Sequence, residues 1–340
     1  MQSLFYDRAT DAENALGLAQ QANAVYLGGG TNLLDLLKGD VEQASRLIDL
    51  NRSGLTRIAP TADGGVRIGA AARNSDMANH ALIRQRYPLL SQALLSGASP
   101  QLRNMATAAG NLMQRTRCYY FTDIAFDECN KRVPGSGCAA RDGVNRIHAI
   151  LGTSDACIAT NPSDMSVALA ALDAVVVARS AHAERRIPIR EFHRLPGDQP
   201  QFDTVLGKGE LITAIDLPPS PFAANAHYLK VRDRASYAFA LVSVAAAIAL
   251  RDGVVEQAAV ALGGVAHKPW RVAGAEAALV GQRAGTPEFD RQAGAVAAAL
   301  LAGAQGFKDN RFKIPLAERS IIRALQMAVL PAAQPAGDAA

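Results

Sequence analysis

Apolar and polar residues alternate differently in the two parts of this chain, which predicts two kinds of structure. Up to about residue 223, short apolar runs bounded by glycine, proline or charged residues predict strands, and longer mixed runs predict helices. The predicted helices are 11–22, 33–38, 88–96 and 165–172, and Asp11 is the predicted N-cap of the first helix. The predicted strands are 25–27, 47–50, 66–70, 174–178, 186–190 and 211–217. Residues 113–158 have no sustained periodicity and are predicted to form a long excursion from this domain.

The second part, from about residue 224, has longer apolar runs. The first three runs are separated by turns and predict a three-stranded antiparallel meander. The predicted strands are 228–232, 240–250 and 254–265, and the predicted helices lie near 275–280, 289–304 and 316–330. Strands followed by helices indicate an α+β domain, so we divide the chain into domains at 1–223 and 224–330. The tail, 331–340, is expected to be disordered.

A glycine-rich turn joins the predicted strand at 25–27 to the helix that begins at Leu33. The turn consists of Gly28, Gly29, Gly30, Thr31 and Asn32. Without side chains the backbone can approach a phosphate closely, and free N–H groups at the start of a helix point toward the anion. A plain turn is the alternative, because the segment matches neither GxGxxG nor a loop that ends in Gly-Lys-Ser/Thr.

A second segment, 97–112, is rich in small residues and carries hydroxyl and amide groups. Small residues allow the close approach of a flat ligand, and Thr107 and Asn111 offer hydrogen bonds to it. A tightly packed helix and loop is the alternative interpretation. Asp164, in the turn before the helix at 165–172, either caps that helix or accepts hydrogen bonds from ligand hydroxyl groups.

All four cysteines lie in the excursion, at Cys118, Cys129, Cys138 and Cys157. Their grouping suggests one shared object, and it leaves open two disulfides, a zinc ion, an iron–sulfur cluster or unrelated thiols. The absence of a close CxxC pair is atypical of structural zinc sites, and the absence of an export signal argues against disulfides. Four thiolates are the number that an iron–sulfur cluster needs. His148, in the same segment, is either a further ligand or a surface or packed histidine.

Composition and charge exclude several classes of function. Charged residues make up 19 % of the chain and hydrophobic residues 49 %, as in ordinary globular proteins. The net charge is +4 with dispersed basic residues, so we expect no nucleic-acid binding. The longest apolar run, 238–250, is too short to cross a membrane, and the N-terminus lacks the pattern of a signal peptide. No Ser-His-Asp or GxSxG arrangement supports hydrolase chemistry.

A family resemblance is carried by five segments: GGGTNLLDLLK (28–38), QLRNMATAAGNL (101–112), NPSDM (161–165), GELITAIDLP (209–218) and YLKVRDRASYAFALVSVAAAI (228–248). Together they resemble the FAD-binding subunits of the xanthine dehydrogenase/molybdenum hydroxylase family. The cysteine segment, QRTRC…CNKRVPGSGCAA…SDACIAT, and GGVAHKPWR (263–271) are similar to the subtype found in periplasmic aldehyde oxidoreductases, which carries a [4Fe–4S] cluster there. The resemblance covers nearly the whole chain.

The resemblance implies an α+β fold. A two-part FAD-binding domain of the PCMH type, with a cysteine-bearing insertion at 113–158, would precede a smaller domain of a three-stranded antiparallel sheet and helices. The implied cofactors are FAD and one [4Fe–4S] cluster, and no acid–base catalytic residue is implied. The residues that match FAD contacts are Val25, Tyr26, Leu27, Gly28, Gly29, Gly30, Thr31, Asn32, Leu33, Thr107, Gly110, Asn111, Asp164, Ile212 and Lys230. The residues that match cluster ligands are Cys118, Cys129, Cys138 and Cys157.

The resemblance also implies a role in electron transfer. The chain would pass electrons from the [2Fe–2S] clusters of a partner to an external acceptor, while a molybdenum-cofactor subunit oxidises an aldehyde to a carboxylic acid. A heterotrimer would result, located in the periplasm through export with a signal-bearing partner, or alternatively in the cytoplasm. Two other functions stay open: a stand-alone NAD(P)H-dependent flavin reductase, and a non-enzymatic zinc or thiol interaction module.

Overall fold

Three sheets organise residues 3–330, the part of the chain that this computed structural model describes. The strands are β1 (Phe5–Arg8), β2 (Ala24–Leu27), β3 (Arg46–Asp49), β4 (Ile58–Pro60), β5 (Val66–Gly69), β6 (Val175–Arg179), β7 (Glu184–Pro188), β8 (Leu211–Leu217), β9 (Ala226–Val231), β10 (Val242–Arg251) and β11 (Val254–Gly263). The α-helices are α1 (Ala12–Leu18), α2 (Leu33–Lys38), α3 (Asn74–Asn79), α4 (Ala81–Arg86), α5 (Pro88–Ser96), α6 (Pro100–Met105), α7 (Ala108–Leu112), α8 (Tyr119–Thr122), α9 (Asp164–Ala171), α10 (Ile189–Phe192), α11 (Pro287–Leu300) and α12 (Lys313–Ala328). The prediction for the tail, 331–340, lies outside the described residues.

The first sheet is parallel and three-stranded, with the order β1-β3-β2. Helix α1 packs beside it and begins at the predicted cap, because the Asp11 side chain accepts a hydrogen bond of 2.8 Å from the backbone N–H of Asn14. Two small apolar clusters cover the sheet, one around Ile48 and one around Leu47. Neighbouring residues of β3 point to opposite faces, so each face is buried by a different cluster.

The second sheet is antiparallel and five-stranded, with the order β4-β5-β8-β6-β7. Helices α5 and α9 bury their apolar sides in one core with β5, β6 and β8. The limits of α5 and β8 agree with the predicted ones. Strand β4 has no sequence signal because it is only three residues long. Strand β7 begins and ends two residues earlier than predicted, and it ends at Pro188 because residues 189–192 form α10. Ser163 caps α9, which rules out Asp164 as the cap.

The third sheet is the predicted antiparallel meander, with the order β11-β10-β9. Its central strand faces two cores. Val244 and Ile248 pack against α11 and α12, and Ala245 and Ala247 pack into the core of the five-stranded sheet. Small alanine side chains on this second face let the two domains approach closely. The C-terminal helices are confirmed, although the first of the three is a 3-10 helix at Ala275–Leu279.

The cysteine segment, residues 113–158, contains one short helix, α8, and otherwise consists of turns. This matches the prediction of an excursion without regular periodicity. A small apolar cluster built around Phe121 and Ile158 fills its interior. The α+β fold class is confirmed, with a cysteine-bearing excursion and a second domain of a three-stranded sheet and helices. Among residues 3–330, no helix combines the length and apolar character that a membrane crossing needs.

Candidate cofactor cleft and cysteine cluster

A cleft of about 600 Å³ is lined by residues of the parallel sheet and of the five-stranded sheet. We call it the central cleft, and both glycine-containing segments line it. The residues predicted to bind a ligand that do line the cleft are Val25, Tyr26, Gly28, Gly29, Gly30, Thr31, Asn32, Leu33, Thr107, Gly110, Asn111, Asp164 and Ile212. The fold therefore brings predicted ligand residues that are far apart in the sequence, between positions 25 and 212, together on one surface. A cleft of this volume suits a cofactor-sized ligand rather than a small metabolite.

The first wall of the cleft is the turn from β2 to α2. Gly29 lies so close to the neighbouring segment that an added Cβ would be 1.9 Å from the carbonyl oxygen of Met105. Gly30 has φ +73°, a left-handed conformation that glycine adopts without strain. Within residues 3–330, no hydrogen bond is donated by the backbone N–H groups of residues 29–33. These groups are free to bind an anion at the start of α2.

The second wall is the N-terminus of α7. The Thr107 hydroxyl caps this helix by accepting a hydrogen bond of 3.2 Å from the N–H of Gly110. An added Cβ on Gly28 would be 2.5 Å from the same hydroxyl oxygen, so the two walls are in direct contact. Asn111 accepts a hydrogen bond of 2.7 Å from the hydroxyl of Ser163, which caps α9. The two predicted ligand segments therefore form one continuous cradle.

Asp164 lies where the cleft meets the third sheet. Its carboxylate accepts hydrogen bonds from the Tyr228 hydroxyl (2.8 Å) and from the Lys230 ammonium group (2.7 Å). Lys230 is almost fully buried in this ion pair and does not line the cleft itself, so its position relative to a ligand is set through Asp164. Leu27 does not line the cleft either, because it packs with Leu37 and neighbouring apolar residues.

Four basic side chains also line the cleft. Sequence patterns did not single them out as ligand-binding. They are Arg103, Arg115, Arg117 and Lys208. They are scattered over about a hundred positions, so no motif could have grouped them; only the fold brings them together. Burial lowers the pKa of Arg117 to about 10, which still leaves its guanidinium cationic at neutral pH. Glu42 and Glu210 also line the cleft, and Glu42 pairs with Arg115.

All four cysteines are free thiols that lie around one small apolar cluster. The backbones of Cys129 and Cys138 pair in an isolated antiparallel bridge. A hydrogen bond from the Cys157 thiol lowers the pKa of Cys138 to about 6, and the same contact raises the pKa of Cys157. Burial raises the pKa of Cys118 to about 12. The four cysteines therefore lie close together with no disulfide among them, and their convergence on one bound group stays a prediction.

Backbone N–H groups point at several of the sulfur atoms. Those of Ile158, Ala140 and Arg141 help to lower the pKa of Cys138, after the larger effect of Cys157 and against that of burial. The N–H of Ala159 donates to the sulfur of Cys157 at 3.4 Å. Such N–H···S contacts stabilise negative charge on sulfur. Within the described range 3–330, no group of three or more His, Cys, Asp and Glu side chains is arranged to hold a metal ion.

Comparisons with known proteins identify the family. A sequence profile described as the FAD binding domain in molybdopterin dehydrogenase matches residues 2–220, and one described as the CO dehydrogenase flavoprotein C-terminal domain matches residues 227–328. The chain belongs to the FAD-binding subunits of the molybdenum hydroxylase family. This confirms the family resemblance, and it makes the chain an oxidoreductase subunit with an FAD-binding domain. The domain limits and the individual ligand residues predicted from the sequence stay predictions.

This FAD-binding subunit has similar relatives of known name. It is 50 % identical to the aldehyde oxidoreductase FAD-binding subunit PaoB of Escherichia coli (strain K12), over 96 % of this chain and 98 % of that one. It is 28 % identical to the glyceraldehyde dehydrogenase medium chain of Sulfolobus acidocaldarius, over 82 % of this chain and 81 % of that one. A chain of carbon monoxide dehydrogenase from Hydrogenophaga pseudoflava has the same fold, with a TM-score of 0.73 at 24 % identity over 96 % and 97 % of the two chains.

A buried ionic network joins the cysteine segment of this FAD-binding subunit to the central cleft. Asp203, between two cleft residues, accepts a hydrogen bond of 2.5 Å from Lys131 and pairs with Arg115. His267 of the C-terminal domain lies 3.4 Å from the same carboxylate. Although burial opposes ionisation, Lys131 and then Arg115 hold the pKa of Asp203 at about 2. Asp203 is therefore ionised at neutral pH, at the point where the cysteine segment, the central cleft and the C-terminal domain meet.

Proposed function

We propose that this chain is the FAD-carrying electron-transfer subunit of a molybdenum-dependent aldehyde oxidoreductase. The observation that carries the proposal is the central cleft, in which the two glycine-containing segments meet. The relative that is half identical over almost its whole length is named for aldehyde oxidoreductase, which supports this substrate class over purines or nicotinate. The proposed partners are a molybdenum-cofactor subunit, which oxidises the aldehyde, and a [2Fe–2S] subunit.

The residues of the cleft fit FAD because they supply what its parts require. The free N–H groups of residues 29–33 suit the diphosphate, and the arginines and Lys208 offset its charge. The Asp164 carboxylate has two hydrogen bonds and retains further acceptor capacity for hydroxyl groups. When bound, FAD supplies the change between one-electron and two-electron transfer, and the chain binds and orients it. Electrons would then leave to an external acceptor.

The proposal includes a [4Fe–4S] cluster bound by Cys118, Cys129, Cys138 and Cys157. The four free thiols, the N–H groups directed at them and the nearby Lys131 suit a group that carries thiolate charge. Among residues 3–330 no compact donor group for a single metal ion is formed, which gives zinc no support. The similarity of the cysteine segment to the cluster-bearing subtype supports the same assignment.

Purification of the full-length chain from its native host tests the assignment. We expect about one FAD per chain, two co-purifying subunits, molybdenum in one of them, and oxidation of aldehydes with a dye as the acceptor. A chain that purifies alone and oxidises NADPH rapidly would instead be a stand-alone flavin reductase. FAD is measured by its absorbance after release, and the subunits by mass spectrometry.

The cluster has a separate test in the isolated full-length chain. After anaerobic reconstitution we expect about four iron atoms per chain, as four thiolates require. Cys129→Ser should lose most of this iron and retain FAD, because Cys129 does not line the central cleft. Bound zinc without iron would overturn the cluster and leave the FAD proposal in place.

Location in the periplasm is part of the same proposal. The chain would be exported with a partner that carries the signal. Fractionation of the native host tests this, with a cytoplasmic marker as the control. Recovery of the chain in the cytoplasmic fraction would contradict export without affecting the proposed chemistry.

A further inference from the structure

We propose that His148 is a positioning residue for the cysteine cluster, through a hydrogen bond from its ring Nε2–H to the sulfur of Cys118. The inference rests on the [4Fe–4S] cluster of the proposed function. Nε2 lies 3.1 Å from the Cys118 sulfur, and the histidine side chain is buried. The four cysteines fill the ligand number of the cluster, so a nearby ring nitrogen is available to donate instead of ligating.

The backbone of His148 is held in place by the C-terminal domain. Its carbonyl oxygen accepts hydrogen bonds from the Asn310 amide (3.2 Å) and from the Lys313 amine (2.8 Å). Its own N–H donates to the carbonyl oxygen of Asn145 at 3.0 Å. Asn310 and Lys313 are both fully buried, so the position of the imidazole is set by a rigid part of the fold.

The imidazole ring of His148 has one polar contact among the described residues, between Nε2 and the sulfur of Cys118. Tyr119 and Tyr120 flank the imidazole, each with a centroid distance of 6.3 Å. The other ring nitrogen, Nδ1, is buried and has no hydrogen-bond partner among the described residues. A thiolate bound to iron has no proton, so it can only accept, and Nε2 must then carry the hydrogen. Cluster binding therefore selects the Nε2–H form of the ring.

The consequence is a higher reduction potential for the cluster. Reduction adds negative charge to the cluster and its sulfur ligands, and a hydrogen-bond donor stabilises the more negative state. Removal of the donor should shift the ratio of reduced to oxidised cluster about tenfold at a fixed potential. This corresponds to a midpoint about 59 mV more negative for a one-electron couple.

Two variants and a control test the inference in the reconstituted full-length chain. His148→Leu removes the donor and should show the shift, whereas His148→Gln keeps an N–H donor and should retain most of the wild-type potential. His193→Leu removes another buried histidine, whose Nε2 contacts the carbonyl oxygen of Leu112 and no cysteine, and should leave the potential unchanged. Equal potentials for wild type, His148→Leu and His148→Gln, with full iron content, would overturn the inference.

A spectroscopic measurement does not depend on whether His148→Leu folds. Wild-type chain labelled with ¹⁵N in the histidine rings should show a nitrogen coupling in pulsed EPR of the reduced cluster. The coupling should disappear in His148→Gln and persist in His193→Gln. Its absence from the iron-loaded wild type would overturn the inference, while a wild type without iron would instead overturn the cluster itself.

Discussion

The central cleft and the cysteine segment are built by different means. The cleft is shaped by backbone: glycines that bring two turns into contact, and short helices whose N-termini face the same space. The cysteine segment has almost no regular structure and is held by buried side chains that bond to its backbone. For example, the side-chain amide of Asn145 donates to the carbonyl oxygens of Ala140, Arg141 and Gly143.

This difference determines how substitutions should disturb each region. At Gly29 in the cleft, an added Cβ meets backbone atoms of Met105 and Ala106, so the backbone must move. In the cysteine segment, a removed polar group leaves buried carbonyl oxygens without a partner, which costs stability rather than shape. The four variants below affect one region, the other, or the network that joins them.

Asp203→Asn should have the largest effect, because it removes the negative charge from a network with Lys131 and Arg115. The side chain of Lys131 is 1 % exposed, so it would be left as an uncompensated buried cation. We expect a loss of about 3–5 kcal/mol in the free energy of unfolding, together with lower FAD and lower iron content. Urea denaturation and cofactor analysis measure this. Asp203→Asn with Lys131→Met should recover part of the loss, and equal stability of the single variant and the wild type would contradict a joining role.

Gly29→Ala should affect the cleft alone. Its Cβ would lie 1.9 Å from the carbonyl oxygen of Met105, so the two walls must separate. We expect about a hundredfold weaker FAD binding, or about 2.7 kcal/mol, with unchanged iron content. Fluorescence titration of the apoprotein with FAD gives the affinity. Gly17→Ala is the matched control, since an added Cβ there has no atom within 4 Å, and it should bind FAD like the wild type.

The same difference explains what the sequence could predict. The cleft follows from local signals: strand, glycine turn and helix start at 25–38, and the small residues around Thr107 and Gly110. The turn before α9 offered Asp164 as a cap or a ligand and the family resemblance added Lys230, but only the structure revealed that they pair with each other. The network around Asp203 has no local signal, because its members come from three distant parts of the chain and its carboxylate resembles any loop aspartate.

Lys313→Met should affect the cysteine segment and its anchor on the C-terminal domain, and should spare FAD. The Lys313 amine donates to the carbonyl oxygens of His148 and Gly264, so its removal leaves Gly264 without this donor. We expect a loss of about 2 kcal/mol at pH 7 in urea denaturation. Unchanged stability would contradict the anchor.

The effect of Lys313→Met should depend on pH with a definite sign. Burial, followed by the nearby Arg146, lowers the pKa of Lys313 to about 7, below its usual value near 10.5. Between these two values the unfolded chain binds more protons than the folded chain, so this residue makes the wild type more stable as the pH rises. The difference between wild type and variant should therefore grow by about 2 kcal/mol from pH 7 to pH 9. A constant difference would show that Lys313 stays charged.

Thr107→Ala should have the smallest effect, and it tests whether the cleft responds to removed atoms as it does to added ones. The variant deletes the hydroxyl that caps α7, and it opens space beside Gly28 rather than filling it, so neither wall is forced to move. The loss of a cap costs about 1 kcal/mol, so FAD binding should weaken about fivefold. Thr107→Ser keeps the cap and should bind FAD like the wild type in the same titration. A loss as large as that of Gly29→Ala would mean that the hydroxyl contacts the cofactor directly, and that the cleft, like the cysteine segment, depends on polar side chains as well as on its backbone.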